Sequence, residues 1–324
     1  MTKAIRIHKT GGTEVLKWED IEVASPAAGQ VKLKQTACGL NYIDVYGRTG
    51  LYSVGELPAV LGMEAVAVVS ELGEGVNSVK LGDRVAYPMA LGAYAQERLI
   101  DADKLVRIPD NIDDQTAAAM MLKGLTAHYL LFRTYPVKPG DTILMYAAAG
   151  GVGLILCQWA KILGATVIGC VGSESKAEMA RANGCDHIIM YRDEDIPARV
   201  AEITDGQGVA VAYDSIGKAT FEASLDSLRP FGVLATYGNA SGPVEPFNPG
   251  ILAPKGSLYV TRPTLATHIS TKELLLEGAN RLMSVVASGQ VKIHVNQTFE
   301  LEHCAEAHRA LEGRQTSGCT VLTV

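Results

Sequence analysis

The sequence predicts an α/β protein of two units, a β-rich part of short strands and a doubly wound parallel sheet of six strands. Three observations carry this expectation. From Asp141 onward, strand-like apolar runs alternate with helical stretches of about ten to fifteen residues. A glycine-rich turn stands between the first of these runs and the first helix. Residues 1–122, by contrast, read as short strands closed by turn signals. A chain of 324 residues exceeds one ordinary domain, so two cores are expected.

Taken in order, Met1–His8 alternates as a first strand and lacks the apolar core of a signal peptide. Val31–Ala37 and Glu64–Glu71 alternate apolar and polar side chains, and Gly73–Gly75 and Gly82–Asp83 mark turns. That spacing suits a small barrel or sandwich. The strands of the second unit are Thr142–Tyr146, Thr166–Val171, His187–Tyr191, Val209–Asp214, Val233–Tyr237 and Ser257–Thr261. Helices are expected at Leu154–Leu163, Lys176–Asn183, Ile196–Thr204 and Thr220–Leu228. After Arg262-Pro263 the alternation stops. A helix over Thr271–Ser288, a strand at Val291–Val295, a helix at Cys304–Leu311 and a closing strand at Cys319–Val324 make a tail too short for a domain. The tail is expected to rejoin the first unit, giving 1–122 with 263–324 as one domain and 123–262 as the other, with the reaction site between them.

Composition narrows the function classes. A net charge of −6 with mixed signs, and no basic stripe, argues against nucleic acid or an anionic membrane as main partner. No apolar run reaches the ~18 residues of a membrane helix, and a cytoplasmic location is expected. The six cysteines form no C-x-x-C pair and read as buried thiols. The histidines His128, His268, His294, His303 and His308 have no spacing that suggests a metal set or a triad.

Ala148-Ala149-Gly150-Gly151-Val152-Gly153 fills the Rossmann G-x-G-x-x-G template with Ala at the first position. Gly150 would let the backbone approach a pyrophosphate, and Gly153 would let the helix pack on the strand. Gly151 and Val152 open that helix, whose first N–H groups favour an anion. In the first βα turn of a parallel sheet this is a dinucleotide site. An acidic residue about twenty positions on would mark NAD. Here the second strand ends in Gly172-Ser173, with Lys176 shortly after and Glu174 in the turn. A 2′-phosphate is repelled by a carboxylate and attracted by an ammonium, so NADPH is expected.

Together with Lys3–Arg6, His8–Leu16, Asn41-Tyr-Ile-Asp44, Gly82-Asp-Arg-Val85, Gly92–Ala95, Leu122-Lys-Gly-Leu-Thr126 and Lys255–Pro263, in that order, these pieces resemble the medium-chain dehydrogenase/reductase superfamily. Within it the resemblance is to the zinc-free, zeta-crystallin-like NADPH:quinone oxidoreductases and covers nearly the whole chain. It implies a chaperonin-10-like barrel, a central dinucleotide domain and a homodimer along the edge of the cofactor sheet. It also implies that Ser173, Lys176 and Tyr191 hold the 2′-phosphate, with Arg314 a further contact to that region. Thr126, Tyr129, Asn239 and Ser241 would border the cofactor, and Arg262 is open between a cofactor role and a hinge or dimer contact. Asn41, Tyr42, Asp44, Tyr46 and Tyr52 fall in a segment of turn character where the family places nicotinamide and acceptor. Asn41, Tyr46 and Tyr52 are the expected catalytic donors, Tyr42 and Asp44 cofactor contacts.

The better-known branch of the superfamily holds a catalytic zinc. Here Cys38 stands near the first ligand position, but the Gly-His-Glu stretch has become Gly62-Met63-Glu64, and a thioether is a poor zinc ligand. No metal is expected. Without a Lewis acid the acceptor must itself be electrophilic, so a quinone leads and an α,β-unsaturated carbonyl follows. A cofactor-binding protein without turnover, like the lens-crystallin relatives, is the rival from another class. A zinc alcohol dehydrogenase is the reading that Met63 opposes.

Overall fold

A computed structural model of the chain describes residues 2–324. In chain order the strands are β1 (Thr2–Ile7), β2 (Lys17–Ile21), β3 (Gln30–Leu40), β4 (Ala59–Val60), β5 (Glu64–Leu72), β6 (Arg84–Pro88), β7 (Glu97–Asp101), β8 (Val106–Arg107), β9 (Thr142–Tyr146), β10 (Thr166–Val171), β11 (His187–Met190), β12 (Val209–Asp214), β13 (Leu228–Thr236), β14 (Tyr259–Thr261), β15 (Val295–Glu300) and β16 (Cys319–Thr323). The helices are α1 (Tyr42–Thr49), α2 (Asp114–Tyr129), α3 (Gly151–Ile162), α4 (Glu174–Ala182), α5 (Ile196–Ile203), α6 (Phe221–Asp226), α7 (Leu265–His268), α8 (Lys272–Ala287) and α9 (Cys304–Glu312). The chain divides into two compact units. The first contains residues up to Leu125, with Ile269–Ala287 and Ile293–Val324; the second contains Thr126–His268 and Ser288–Lys292.

In the first unit, β15-β16-β3-β5-β6-β8 form a sheet with β7 also on β3, and β2-β1-β4 form a smaller one. Except for the parallel pair β15 and β16, the pairings are antiparallel. The alternating side chains of β3 and β5 put Val31, Leu33, Ala65, Ala67 and Val69 into a core shared with Ile5, Ile7, Tyr87 and Leu322.

In the second unit the order β11-β10-β9-β12-β13-β14 is parallel throughout. Counted from β9, it is the 3-2-1-4-5-6 order of dinucleotide-binding sheets, and the order reverses between β9 and β12. The central strands β9, β10 and β12 are buried over nearly their whole length because a parallel sheet is covered on both faces, which explains the unbroken run Val-Ala-Val-Ala-Tyr-Asp of β12, whereas the outer strands β11 and β14 are mostly half-buried or exposed.

Two expectations are corrected. The segment at 41–52 is not a turn but begins with α1, because Asn41 and Asp44 form a capping box that starts a helix ended by Gly50 in the left-handed region. The tail strand runs from Val295 to Glu300 rather than over 291–295. The Gln158 side chain binds both the N–H and the carbonyl of Lys292, at 2.9 and 3.0 Å, which removes that backbone from any ladder. All six cysteines are buried free thiols.

Candidate active site

In the second unit the glycine turn is a product of backbone geometry. After β9 the chain turns through Ala147, in the left-handed region at φ 50°, and Gly150 caps α3 in an extended conformation. The first intrahelical bond runs from Leu154 N–H to Gly150 O at 2.9 Å, so the N–H groups of Gly151, Val152 and Gly153 have no acceptor within the helix. A Cβ on Gly153 would stand 2.3 Å from Ala147 O and 2.6 Å from Ala148 O, so only glycine lets α3 lie this close to the turn.

Gly172, Ser173, Lys176 and Tyr191 lie at the carboxyl ends of the neighbouring strands β10 and β11. Ser173 caps α4, Lys176 is in its first turn, and Tyr191 N–H donates to Val171 O at 3.2 Å. A Cβ on Gly172 would come within 2.5 Å of the Tyr191 hydroxyl. Glu174, which opens α4, is bound by Arg181 at 2.8 Å, and Glu194 accepts from Met190 N–H at 2.6 Å at the end of β11. At the same end of the sheet Ser241 Oγ donates to Ile216 O at 2.9 Å and accepts from Ala219 N–H at 3.0 Å, fastening the loop that holds Asn239. Arg262 donates to Thr236 O and Gly238 O, at 2.8 and 3.3 Å. Thr126 is buried on α2, and buried Tyr129 stacks on His268 with centroids 4.4 Å apart. Burial pushes the Tyr129 phenol up, so it stays protonated.

Sequence reasoning missed Asp214. Fully buried at the end of β12, it accepts from the N–H groups of Ile216 and Gly217 at 2.7 and 3.1 Å, and from the hydroxyls of Thr220 and Ser224 at 2.7 and 3.1 Å. It shapes the loop at the point where the strand order reverses.

In the first unit the site is built from side chains. Glu64, wholly buried at the start of β5, accepts at Oε1 from Asn41 Nδ2 (2.8 Å) and Lys123 Nζ (2.9 Å), and at Oε2 from Leu122 N–H (2.6 Å). Asn41 Nδ2 also donates to Gly39 O at 3.3 Å, while the Asn41 side chain accepts from the Asp44 N–H in the capping box. Both amide hydrogens of Asn41 are thus engaged. Asp44 accepts from Asn41 N–H and from the Tyr94 hydroxyl, each at 2.8 Å, and its Oδ1 has no hydrogen-bond partner among the described residues. Burial is the main cause that lifts Asp44 to about 7.

Tyr42, Tyr46 and Tyr52 form one aromatic group, with centroids 6.1 Å apart for the first pair and 5.2 Å, edge to face, for the second. Tyr46 is buried and Tyr52 exposed. The Tyr42 hydroxyl donates to Leu311 O at 3.3 Å. Arg48, buried and unremarked in the sequence, binds Glu312 through two 2.8 Å bonds and His308 at 3.2 Å, which holds α9 against α1. Arg314 lies in the turn after α9, in the left-handed region at φ 57°.

The sequence model of the alcohol dehydrogenase GroES-like domain matches residues 27–110, and that of the zinc-binding dehydrogenase matches residues 151–277. A quinone oxidoreductase of Salmonella typhimurium is 50% identical over 99% of both chains. The chain belongs to the quinone oxidoreductase family. A solved quinone oxidoreductase from Escherichia coli, complexed with NADPH, superposes with a TM-score of 0.97 at 48% identity, over 99% of this chain and 100% of that one. A 2-haloacrylate reductase of a Burkholderia species is 48% identical over 99% of both chains. The fold class read from the sequence, a GroES-like unit with a six-stranded parallel sheet, agrees with these findings.

The residues at the zinc position of the wider superfamily do not make a ligand set. Met63 replaces the imidazole, and Cys38 Sγ donates to Ala93 O at 2.9 Å with its thiol pushed up by burial. Glu64 already accepts from three donors. Among the described residues, the only trio of His, Cys and carboxylate groups close enough to share an ion is the exposed Glu300, Glu302 and His303.

Proposed function

We propose that this protein reduces quinones with NADPH by hydride transfer and without a metal. The observation that supports the reading is the ion pair of Glu64 with Lys123, which stands beside Met63 where a metal-ligand set would be needed, together with the N–H groups at the start of α3 that have no acceptor in the helix. A site so built can place an electrophile against a reductant but offers no Lewis acid to polarise an alcohol. When bound, NADPH supplies a hydride, which with one proton from solvent converts a quinone to a hydroquinone.

The N–H groups of Gly151, Val152 and Gly153 would face the pyrophosphate. Ser173, Lys176 and Tyr191 would hold the 2′-phosphate, with Arg314 a further contact, and the binding of Glu174 by Arg181 keeps a competing carboxylate away. Tyr42, Asp44, Thr126, Tyr129, Asn239, Ser241 and Arg262 would border the rest of the cofactor. Tyr46 and Tyr52 would offer the acceptor an aromatic wall and hydroxyl donors. Asn41, with both hydrogens engaged, acts by tying Glu64 to the start of α1.

A second reading, reduction of an electron-poor alkene, is supported by the 48% identity to the 2-haloacrylate reductase. Oxidation of NADPH and NADH should be followed with benzoquinones, naphthoquinones, 2-alkenals and 2-haloacrylate. Turnover of quinones with NADPH is expected. Preference for the alkenes would move the assignment to the second reading, and tight NADPH binding without any turnover would make the protein a cofactor binder.

The homodimer belongs to the same proposal. Phe231 and Tyr259 are 68% and 60% exposed near and on the edge strand β14, where a second copy would cover them. Sedimentation should give a dimer; a monomer at micromolar concentration would remove this part. No helix among the described residues is long and apolar enough to cross a membrane, and we place the protein in the cytoplasm.

A further inference from the structure

We propose that the Lys123 ammonium holds the oxygen of the acceptor as negative charge develops on it, and that Glu64 positions Lys123 for this task. The inference rests on the reading of the site as a quinone or enone reductase. It begins from a hydrogen-bond deficit. Lys123 is 6% exposed, and of its three N–H donors one meets Glu64 Oε1 at 2.9 Å. The ammonium has no other hydrogen-bond acceptor among the described residues. Buried charged donors are rarely left unmet in a folded protein, because each loses its water without replacement.

The neighbours cannot make up the deficit. Glu64 accepts from Asn41, Lys123 and Leu122 and is itself well supplied. The groups whose charge acts on Lys123 are Glu64 on β5, Asp44 on α1 and Cys319 on β16. Burial, the largest influence, pulls the ammonium toward neutrality, but Glu64 together with Cys319 and Asp44 outweighs it, and Lys123 is held above its ordinary value and stays charged at neutral pH. Asn41, the donor that sequence alone would choose, has no free hydrogen.

The ion pair is neutral as a whole, so an uncharged carbonyl meets no strong field before reaction. As hydride adds, the acceptor oxygen becomes a phenolate or an enolate, and a hydrogen bond from an ammonium strengthens with that charge. Lys123 would then be a catalytic residue in contact with the acceptor oxygen. Glu64 is a positioning residue, since it acts through Lys123.

The test compares the wild-type enzyme with the Lys123→Met/Glu64→Gln double variant, which removes the pair together and leaves no unpaired buried charge. Kcat is measured with NADPH on 1,4-benzoquinones running from chlorinated to methylated rings, whose hydroquinone anions become steadily more basic. Loss of an oxyanion donor should lower kcat by about 100-fold on the methylated quinones and by less than about tenfold on the chlorinated ones. The dissociation constant for NADPH, read by fluorescence titration, should stay within about twofold, since neither group is placed in the cofactor cradle. An equal loss along the series, or no loss, overturns the role of Lys123 while leaving the quinone reading intact. Absence of turnover by the wild type on every acceptor overturns that reading and this role with it. Glu64→Gln alone should move the alkaline limb of the kcat profile to lower pH, because Lys123 loses the charge that keeps it protonated. An unmoved limb overturns the positioning role of Glu64.

Discussion

The glycine turn at 147–153 and the network around Glu64 handle buried charge in opposite ways. The turn leaves backbone N–H groups without an acceptor within α3 and uses Gly153 so that helix and turn can lie close together. Around Glu64 the carboxylate is met by Asn41, Leu122 and Lys123, and the charge of Lys123 is balanced inside the protein although only one of its donors has an acceptor among the described residues. The turn is made by seven consecutive residues, 147–153. The network joins Asn41, Glu64 and Lys123, which stand 23 and 59 residues apart in the chain. An open set of donors suits a ligand that brings its own negative charge. A neutral set that keeps a donor to spare suits a partner that becomes charged only during reaction.

That contrast can be broken at several points. The largest effect is expected from Gly153→Val, since the added side chain meets backbone oxygens that cannot move independently of β9 and α3. NADPH affinity should fall on the order of 100-fold or more, about 3 kcal/mol. Fluorescence titration would measure it, with the urea midpoint as a control for folding. Retained affinity would mean that close packing of helix and turn is not what forms the cradle.

Glu64→Ala should act on stability instead of cofactor affinity. It leaves a buried ammonium without its only hydrogen-bond partner among the described residues, a loss of about 3–5 kcal/mol. Urea denaturation should record it, and a change below about 1 kcal/mol would mean that water already reaches Lys123.

Two buried groups give the first unit opposing pH responses. Asp44 rises from 3.8 to about 7, chiefly through burial, so between those values the unfolded carboxyl is ionised while the folded one keeps its proton. Its contribution to stability therefore falls as pH rises through that window. His308 drops from 6.5 to about 3 through burial first and Arg48 second, so in that window the unfolded imidazole takes a proton the folded one refuses. Its contribution rises with pH. Asp44→Asn should steepen the loss of stability toward acid, and His308→Gln should leave stability declining from about pH 4 to 7, each by at most about 1.4 kcal/mol per pH unit. Thermal unfolding across pH 4 to 8 would show whether the two variants diverge; parallel curves would contradict both assignments.

The smallest expected effect sharpens the contrast in the second unit. Lys176→Ala should weaken NADPH about tenfold, the scale of one charge-assisted hydrogen bond, and leave NADH nearly unchanged. Equal losses for the two nicotinamides would remove Lys176 from the 2′-phosphate.

Much of this protein was readable in the order of its residues, where the information is local. Strand periodicity placed the six runs of the second sheet, and the bounds of β9, β10 and β12 match those read from the sequence. The glycine turn was legible because consecutive residues form it, and so was the missing acid after β10. The capping box of Asn41 and Asp44 was also present in the sequence, yet the segment read as a turn because three tyrosines and two glycines obscured the helix. What only the tertiary structure decided are pairings between distant residues. Arg48 with Glu312 and Glu64 with Lys123 have no periodicity or spacing to announce them. The physical reason is that backbone preferences and side-chain alternation are written within a few residues. The neutralisation of a buried charge depends on which strand and which helix come to lie against it.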